Sequence, residues 1–202
     1  MMKVGILGAG SVGRALAGLI KAAGHAPLIS ERKPSVDTVS FEEAATVGEI
    51  VIIAVPYTAT KVLLPQLACA LEGKTVVDAT NPLNDDWSPK ILGAETSAAE
   101  EIARLLPGAH IVKAFNTVFA DIMKPGRLTR LGAPVTGFIA GDEARARRQV
   151  IDLAKDMGLA PIETGPLATA RYLEAMAHLN IAIAVGQSGG TDAAFLYHQA
   201  TG

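Results

Sequence analysis

Six residues near the start of the chain, Gly8-Ala9-Gly10-Ser11-Val12-Gly13, have the spacing of a loop that binds the diphosphate of a dinucleotide. They follow the apolar run Lys3-Val4-Gly5-Ile6-Leu7, which predicts a buried strand, and they open a stretch with apolar residues at helical spacing. Gly8 permits a tight turn, Gly10 lets the backbone approach a diphosphate, and Gly13 lets the helix pack on its strand. The free amides of the helix N-terminus then favour an anion. The alternative interpretation is an ordinary glycine-rich turn.

The second predicted strand ends near Ser30, where such a fold contacts the adenosine ribose. Glu31 could accept a hydrogen bond from the 2′-hydroxyl of NAD(H). Arg32, Lys33 and the hydroxyl of Ser30 could instead bind the 2′-phosphate of NADP(H), since arginine grips phosphate through two hydrogen bonds. These residues favour NADP(H) slightly over NAD(H), and a solvated turn with every charge in water is the remaining alternative.

Two further segments follow predicted strands and should face the same cleft, outside the carboxyl ends of the strands. Val55-Pro56-Tyr57 follows the third strand and Thr80-Asn81-Pro82 follows the fourth. Pro56 and Pro82 stiffen these turns and leave backbone groups to meet the ribose and the nicotinamide. Plain strand-ending prolines are the alternative.

The candidate catalytic residues are Lys113, Asn116 and Thr117, at the end of the fifth predicted strand. Asn116 and Thr117 could hydrogen-bond a planar heterocycle or the carboxamide of nicotinamide. Lys113 could donate a proton if desolvation lowered its pKa. An alternative role for Lys113 is an ion pair with a nearby acid.

No convincing acid, base or metal site stands out elsewhere in the chain. None of the four histidines is followed by a ligand-type residue three or four positions later, so we expect no metal. Reduction of a ketone needs a proton as well as a hydride. Hydride exchange between nicotinamide and a flavin-like ring needs mainly stacking, distance and exclusion of water, and the residues suit this second task better.

Composition narrows the class of protein. Half of the 202 residues are apolar and the net charge is −2, so nothing attracts nucleic acid or an anionic membrane surface in general. Cys69 is the single cysteine, which excludes an intrachain disulfide. No apolar stretch approaches the length of a membrane helix, and the nearest, 175–185, carries His178 and Asn180. We therefore expect a cytoplasmic protein that acts on a small-molecule redox substrate.

Strand and helix patterns alternate along the chain, which predicts an α/β fold of the Rossmann type, with a doubly wound, mainly parallel sheet. The predicted domain spans residues 1–164, and residues 165–202 form a C-terminal helix and tail that complete the site or a dimer interface. Later strands are predicted at 49–55, 74–78, 109–115, 135–140 and 160–162. Helices are predicted at 11–23, 41–47, 57–70, 97–106, 117–124, 142–157 and 168–186.

Three later motifs give the chain a family resemblance that covers nearly all of residues 3–185. They are Ser97-Ala98-Ala99-Glu100 running to Leu106-Pro107, then Val112-Lys113-Ala114-Phe115-Asn116-Thr117, and then Gly165-Pro166-Leu167 with Arg171 and Glu174. With the glycine turn, they resemble the NADP oxidoreductases that depend on coenzyme F420, a deazaflavin. They are equally similar to the cytosolic reductase domain of the STEAP metalloreductases.

The resemblance implies a dinucleotide-binding domain, commonly dimeric, that exchanges a hydride between NADP(H) and F420 or a flavin such as FMN or FAD. Carried over by position, Gly8 to Val12 would contact the diphosphate and Arg32 the 2′-phosphate. Pro56 and Asn81 would border the nucleotide. The second ring would lie beside Asn116, Val118 and Ala120, close to Ala114.

Two positions depart from the pattern of the archaeal reductases. Glu31 stands where they have serine, and Asn116 stands where they have histidine. Around Asn116 the chain is closer to the metalloreductase form.

Two other functions stay open. A β-hydroxyacid or imine dehydrogenase would place a lysine at the start of the C-terminal helix, where this chain has Arg171, and Glu174 is expected to be exposed. A dinucleotide-sensing module would bind the nucleotide without catalysis and would use the tail from residue 187 to report to a partner.

Overall fold

The computed structural model describes residues 1–199. Five strands form the first part of its main sheet: β1 (Lys3–Leu7), β2 (Ala26–Ser30), β3 (Ile50–Ile53), β4 (Thr75–Asp78) and β5 (His110–Ala114). Helices connect them in sequence: α1 (Ser11–Ala22), α2 (Phe41–Val47), α3 (Tyr57–Leu71) and α4 (Ala98–Leu105). These five strands are parallel, as the alternating pattern predicted.

The second part of the sheet follows a small hairpin. Strands β6 (Thr129–Arg130) and β7 (Ala133–Pro134) pair with each other, and β8 (Thr136–Gly141), α5 (Ala144–Asp156) and β9 (Ala160–Gly165) come next. The main sheet has the order β2-β1-β3-β4-β5-β8-β9, and β8 is antiparallel to β5. The fold is therefore the predicted doubly wound Rossmann type with a mainly parallel sheet.

One predicted helix is wrong. Residues 117–124 form turns, in which amides bond to carbonyls three residues earlier, as from Ile122 to Phe119 and from Met123 to Ala120. Their apolar side chains suggested a helical face, but they pack into the core from consecutive turns. Because no crossover helix follows β5, the chain re-enters the sheet at the same edge at which β5 leaves it, and β8 runs antiparallel to β5.

Both faces of the sheet are covered, so its central strands are apolar on both sides. One core lies under α1 and α5 and includes Ile6, Leu16 and Val150. The other lies under α2, α3 and α4 and includes Leu7, Leu64 and Ile102.

The C-terminal part begins with a 3-10 turn, Leu167–Thr169, and continues as α6 (Ala170–Ile181) and a π-helical turn, Ala182–Gly186. The following tail returns to the domain. Phe195 packs against the cluster of Phe138, Ala140 and Leu173, and its carbonyl accepts the amide of Thr136.

Candidate nucleotide site and the pocket beside it

The turn between β1 and α1 has the geometry that its glycines predict. Gly8 has φ +128°, and a Cβ there would lie 2.5 Å from the carbonyl oxygen of Ala54. A Cβ on Gly13 would lie 1.9 Å from the carbonyl oxygen of Gly8. Gly8 and Gly13 are therefore required by the packing of the protein itself.

Gly10 differs from its two neighbours in the motif. Its φ of −73° suits any residue, and a Cβ there would meet no protein atom within 4 Å. It precedes α1, whose N-terminus has no side-chain cap and no acidic residue in its first turn. The first backbone amides of α1 are thus free to bind an anion. The open space at Gly10 allows this anion to approach the backbone closely.

A cavity of about 460 Å³ adjoins this turn. It opens at the carboxyl ends of β1, β3, β4 and β5, where the chain crosses from β2 over β1 to β3. This change of direction is the topological switch point at which doubly wound folds bind ligands. The volume is within the range of pockets that hold small ligands.

Most of the predicted site residues come together there. The cavity is lined by Gly10, Ser11, Val12, Val55, Pro56, Tyr57, Thr80, Asn81, Asn116, Thr117, Val118 and Ala120. Several others lie outside its lining: Gly8, Ala9, Gly13, Ser30, Glu31, Arg32, Lys33, Pro82, Lys113 and Ala114. Ala114 is fully buried in the core, and Pro82 borders a second, smaller cavity under the loop after β4.

In the turn after β2, the acidic residue Glu31 and the basic residue Arg32, which favour different nucleotides, lie in different environments. Ser30 is fully buried and its hydroxyl donates to the carbonyl of Ile6, so it does not face a ribose. The carboxylate of Glu31 accepts a 2.6 Å hydrogen bond from the Thr38 hydroxyl. Hydrogen bonds from Thr38 and then Ser35 lower the pKa of Glu31. Arg32 is exposed and forms no ion pair among the described residues.

Lys113 does not fit the role of proton donor. It is fully buried, and its Nζ lies 2.8 Å from Asp78 Oδ2 and 2.9 Å from Glu174 Oε1. Burial disfavours the charge, but Asp78 and Glu174 outweigh it and raise the pKa of Lys113. The alternative role, an ion pair with a nearby acid, is confirmed. The expectation that Glu174 is exposed was wrong, because its exposed fraction is 4%.

Asn81 and Asn116 join the turns that follow β4 and β5. Asn116 Nδ2 donates to Asn81 Oδ1 at 3.0 Å and to the carbonyl of Leu173 at 3.0 Å, and Asn81 Nδ2 donates to the carbonyl of Asn116 at 2.9 Å. The preceding residue, Phe115, is buried with φ +66°. Such a conformation is costly for a bulky residue, and packing at this turn holds it in place.

Few groups in the cavity could transfer a proton. Tyr57 lines it, but burial first, and then its hydrogen bond to Glu101, raise the pKa of its hydroxyl. Asp121, on the rim, accepts a hydrogen bond from Thr191. The rest of the described lining is apolar apart from side-chain amides, the indole of Trp87 and the hydroxyls of Ser11, Thr80, Thr117 and Thr191.

Several lining residues were missed from the sequence, and four of them come from the C-terminal part. These four are Ala177, Asn180 and Ile181 of α6 and Thr191 of the tail, and Phe119 lies in the turns after β5. The signal for Asn180 was its polar side chain within the apolar stretch 175–185. Trp87, in the loop after β4, also lines the cavity.

No group of three or more histidine, cysteine, aspartate or glutamate side chains in residues 1–199 is arranged to hold a metal ion. Within the same part of the chain, no helix has both the length and the apolar character needed to cross a membrane.

The glycine turn, the parallel sheet and the cavity at the switch point define a Rossmann-type domain with a candidate dinucleotide site. Residues 3–82 match the family model described as NADP oxidoreductase, coenzyme F420-dependent. The resemblance inferred from the motifs is therefore confirmed: the chain is related to the F420-dependent NADP reductases and to the STEAP metalloreductases.

Individual relatives agree with this assignment. Metalloreductase STEAP3 of Rattus norvegicus is 33% identical over 186 residues, which cover 86% of this chain and 36% of that protein. The F420-dependent NADP reductase of Methanocaldococcus jannaschii is 29% identical, covering 77% of this chain and 72% of the relative. A crystal structure from Arthrobacter sp. FB24, proposed to be an F420-dependent NADP reductase, has a TM-score of 0.87 at 28% identity and covers 98% of this chain and 100% of that one. The chain spans about a third of the length of its STEAP relatives.

Proposed function

We propose that this chain transfers a hydride between NADP(H) and a deazaflavin such as F420, or a flavin. The observation that carries the proposal is the cavity itself, which joins the N-terminus of α1 to an amide-lined space at the switch point. When bound, the nucleotide supplies the hydride from C4 of its dihydronicotinamide. C5 of a deazaflavin or N5 of a flavin would accept this hydride, and the accompanying proton would come from solvent.

In this proposal the residues of the chain bind the two substrates, orient their rings for hydride transfer and exclude water. None of these residues has to give up a proton. The first turn of α1 holds the diphosphate, while Pro56 and Asn81 border the nicotinamide half. Val118 and Ala120 offer a small apolar surface for the second ring. Tyr57 is tied to Glu101 and stays a neutral wall of the cavity.

The choice of NADP(H) over NAD(H) rests on the turn after β2. Glu31 is held by Thr38, so its carboxylate is engaged within the protein. The exposed guanidinium of Arg32 is then the group available for a 2′-phosphate.

Replacement of this charge tests the nucleotide preference. Arg32→Ala should weaken NADP⁺ binding by about tenfold or more, because a charge-assisted hydrogen bond is lost, and should leave NAD⁺ binding unchanged. Titration of both nucleotides by fluorescence or calorimetry measures the two affinities. Arg145→Ala, which removes an exposed arginine of α5, is the matched control and should change neither. Equal loss for NAD⁺ and NADP⁺ in Arg32→Ala would contradict the assignment.

The identity of the acceptor needs a direct assay. The purified protein should oxidise NADPH faster with F420 or a flavin than with no acceptor, followed at the absorbance of the reduced nicotinamide. F420, FMN, FAD and ferric chelates are offered in turn. No turnover with any of them, in protein that binds NADP⁺, would favour the dinucleotide-sensing function or a dehydrogenase.

A further inference from the structure

Two buried polar atoms at the cavity have no hydrogen-bond partner among the described residues. They are Thr80 Oγ1 and Asn116 Oδ1, and their residues are 5% and 6% exposed. Buried polar groups in native proteins are nearly always bonded, because an unpaired one loses its water without compensation. Both residues line the cavity, so a ligand there is the natural partner for the two atoms.

The orientation of the Asn116 amide is fixed by its neighbours. Its Nδ2 donates to the carbonyl of Leu173, a group that can only accept, and it also donates to Asn81 Oδ1. A flipped amide would place oxygen against the oxygen of Leu173. The free atom is therefore the oxygen, and the ligand must offer it a hydrogen-bond donor.

Thr80 lies on the neighbouring turn, which the Asn81–Asn116 pair ties to the turn that bears Asn116. Lys113 donates to the carbonyl of Thr80, and Asp78 accepts its amide, so both backbone groups of Thr80 are already bonded. Only the hydroxyl remains, and a hydroxyl can donate. The cavity thus presents one acceptor and one hydroxyl donor from adjacent turns.

We propose that Asn116 Oδ1 and Thr80 Oγ1 bind the carboxamide of the nicotinamide, and so orient the ring for hydride transfer. The carboxamide NH₂ donates to Asn116, and its carbonyl accepts from Thr80. This assignment rests on the proposed function, since it needs a nicotinamide nucleotide in the cavity. Both residues position the ring and neither exchanges a proton with it.

The two threonines Thr80 and Thr60 allow a matched test. Thr60 is also buried, but its hydroxyl donates to the carbonyl of Tyr57 at 2.6 Å. Thr80→Val removes a hydroxyl that has no partner in the described structure, so the melting temperature should not fall. NADP⁺ affinity should fall by about tenfold. Thr60→Val should lower the melting temperature and leave the affinity unchanged.

A nucleotide analogue tests the oxygen of Asn116. The 3-acetylpyridine analogue of NADP⁺ has a methyl group in place of the NH₂, so the wild-type protein should bind it about tenfold more weakly than NADP⁺. In Asn116→Leu this preference should disappear. Thr80→Val should bind 2′-phospho-ADP-ribose, which lacks the nicotinamide, as tightly as the wild-type protein does.

The outcomes separate this proposal from the proposed function. If the wild-type protein binds NADP⁺ but Thr80→Val binds it equally well, or loses 2′-phospho-ADP-ribose to the same extent, the carboxamide assignment is wrong. An analogue preference that survives in Asn116→Leu overturns it as well. If the wild-type protein binds neither nucleotide, the proposed function itself fails.

Discussion

Lys113, at the end of β5, is fully buried, and its Nζ lies between the carboxylates of Asp78 and Glu174. Its place at the end of a strand beside the cleft suggested proton transfer, because a desolvated lysine has a lowered pKa. Two buried carboxylates reverse that effect, and one of them, Glu174, comes from α6. Glu174 also accepts the amides of Ala98 and Ala99 at the start of α4. The cluster of Lys113, Asp78 and Glu174 therefore joins the C-terminal helix α6 to the sheet.

Removal of the lysine should destabilise the protein strongly. Lys113→Met leaves two buried carboxylates without their cation, which we expect to lower the free energy of unfolding by about 3–5 kcal/mol. Chemical denaturation measures this change. Lys61→Met is the control, because the Lys61 side chain is 60% exposed and its ion pair with Glu101 should contribute about 1 kcal/mol or less. A loss for Lys113→Met as small as that of the control would contradict a central structural role.

The ion pair of Glu100 with Arg171 predicts a dependence of stability on pH. Its hydrogen bond to Arg171, and then the one from Ser97, lower the pKa of Glu100 below its ordinary value of 4.5. A carboxyl with a lowered folded-state pKa stabilises the protein above the unfolded-state value, and this stability is lost as the pH falls through the folded-state value. Glu100→Gln should therefore be less sensitive than the wild-type protein to acidification below about pH 4.5. Thermal melts at several pH values test this.

The control for that experiment is Glu42→Gln. Glu42 is exposed in the first turn of α2, and its side chain has no hydrogen-bond partner among the described residues. This variant should keep the pH dependence of the wild-type protein. If Glu100→Gln and Glu42→Gln behave alike, the pair with Arg171 does not contribute to acid stability.

Among the elements, the turn between β1 and α1 contains a glycine that folding requires, Gly13, and a glycine that only nucleotide binding would require, Gly10. Gly13→Ala places a Cβ against the carbonyl of Gly8, within 1.9 Å, and should lower the melting temperature. Gly18→Ala, also in α1, meets no atom within 4 Å and should be neutral or stabilising, since alanine favours a helix. Thermal unfolding followed by circular dichroism compares the two variants. Equal melting temperatures would mean that α1 does not pack on the turn as described.

Elements with a clear period were predictable from the sequence, and those held by distant contacts were not. The bounds of α2 and β1 agree with the prediction because each has one consistent pattern of apolar residues. Residues 117–124 have apolar spacing typical of a helix, but the positive φ of Phe115 redirects the chain into turns. The hairpin of β6 and β7 was missed, since two-residue strands have no period to detect.

The residues of the candidate site were likewise predictable where a local sequence pattern places them, and not where distant contacts place them. Residues on the turns after β1, β3, β4 and β5 were found because parallel strands bring their carboxyl ends to one edge. The contribution of α6 and of Thr191 depends on how the C-terminal part docks, which no local pattern encodes. The pairing of Glu31 with Thr38 likewise needed the conformation of the loop after β2.

At the scale of the whole molecule, α6 buries one face and exposes another. Tyr172 and Leu179 of α6, and Ile183 of the π-helical turn that follows it, are 71%, 56% and 49% exposed and form an apolar stripe. The family resemblance implies a dimer, and we propose that this apolar stripe packs against a second copy of the chain. In the described part of the tail, Phe195 packs on Phe138 and Leu173 rather than on this stripe.

Introducing a charged residue into the apolar stripe tests the proposed dimer interface. Leu179→Glu should shift the protein toward the monomer in sedimentation or light-scattering measurements, because a buried carboxylate would oppose association. Val62→Glu is the control: Val62 is 70% exposed on α3, away from the stripe, and its replacement should leave the assembly unchanged. A wild-type protein that stays monomeric at high concentration would refute the proposed interface.

Binding of NADP⁺ to Gly10→Ala, measured by calorimetry, is the most direct test of the account. A methyl group at Gly10 meets no protein atom within 4 Å, so the fold and the melting temperature should be preserved. It would occupy the space through which the diphosphate approaches the first turn of α1, and affinity should fall by about tenfold or more, while Gly18→Ala binds as the wild-type protein does. A stable Gly10→Ala protein with undiminished NADP⁺ affinity would show that the nucleotide does not bind at this turn.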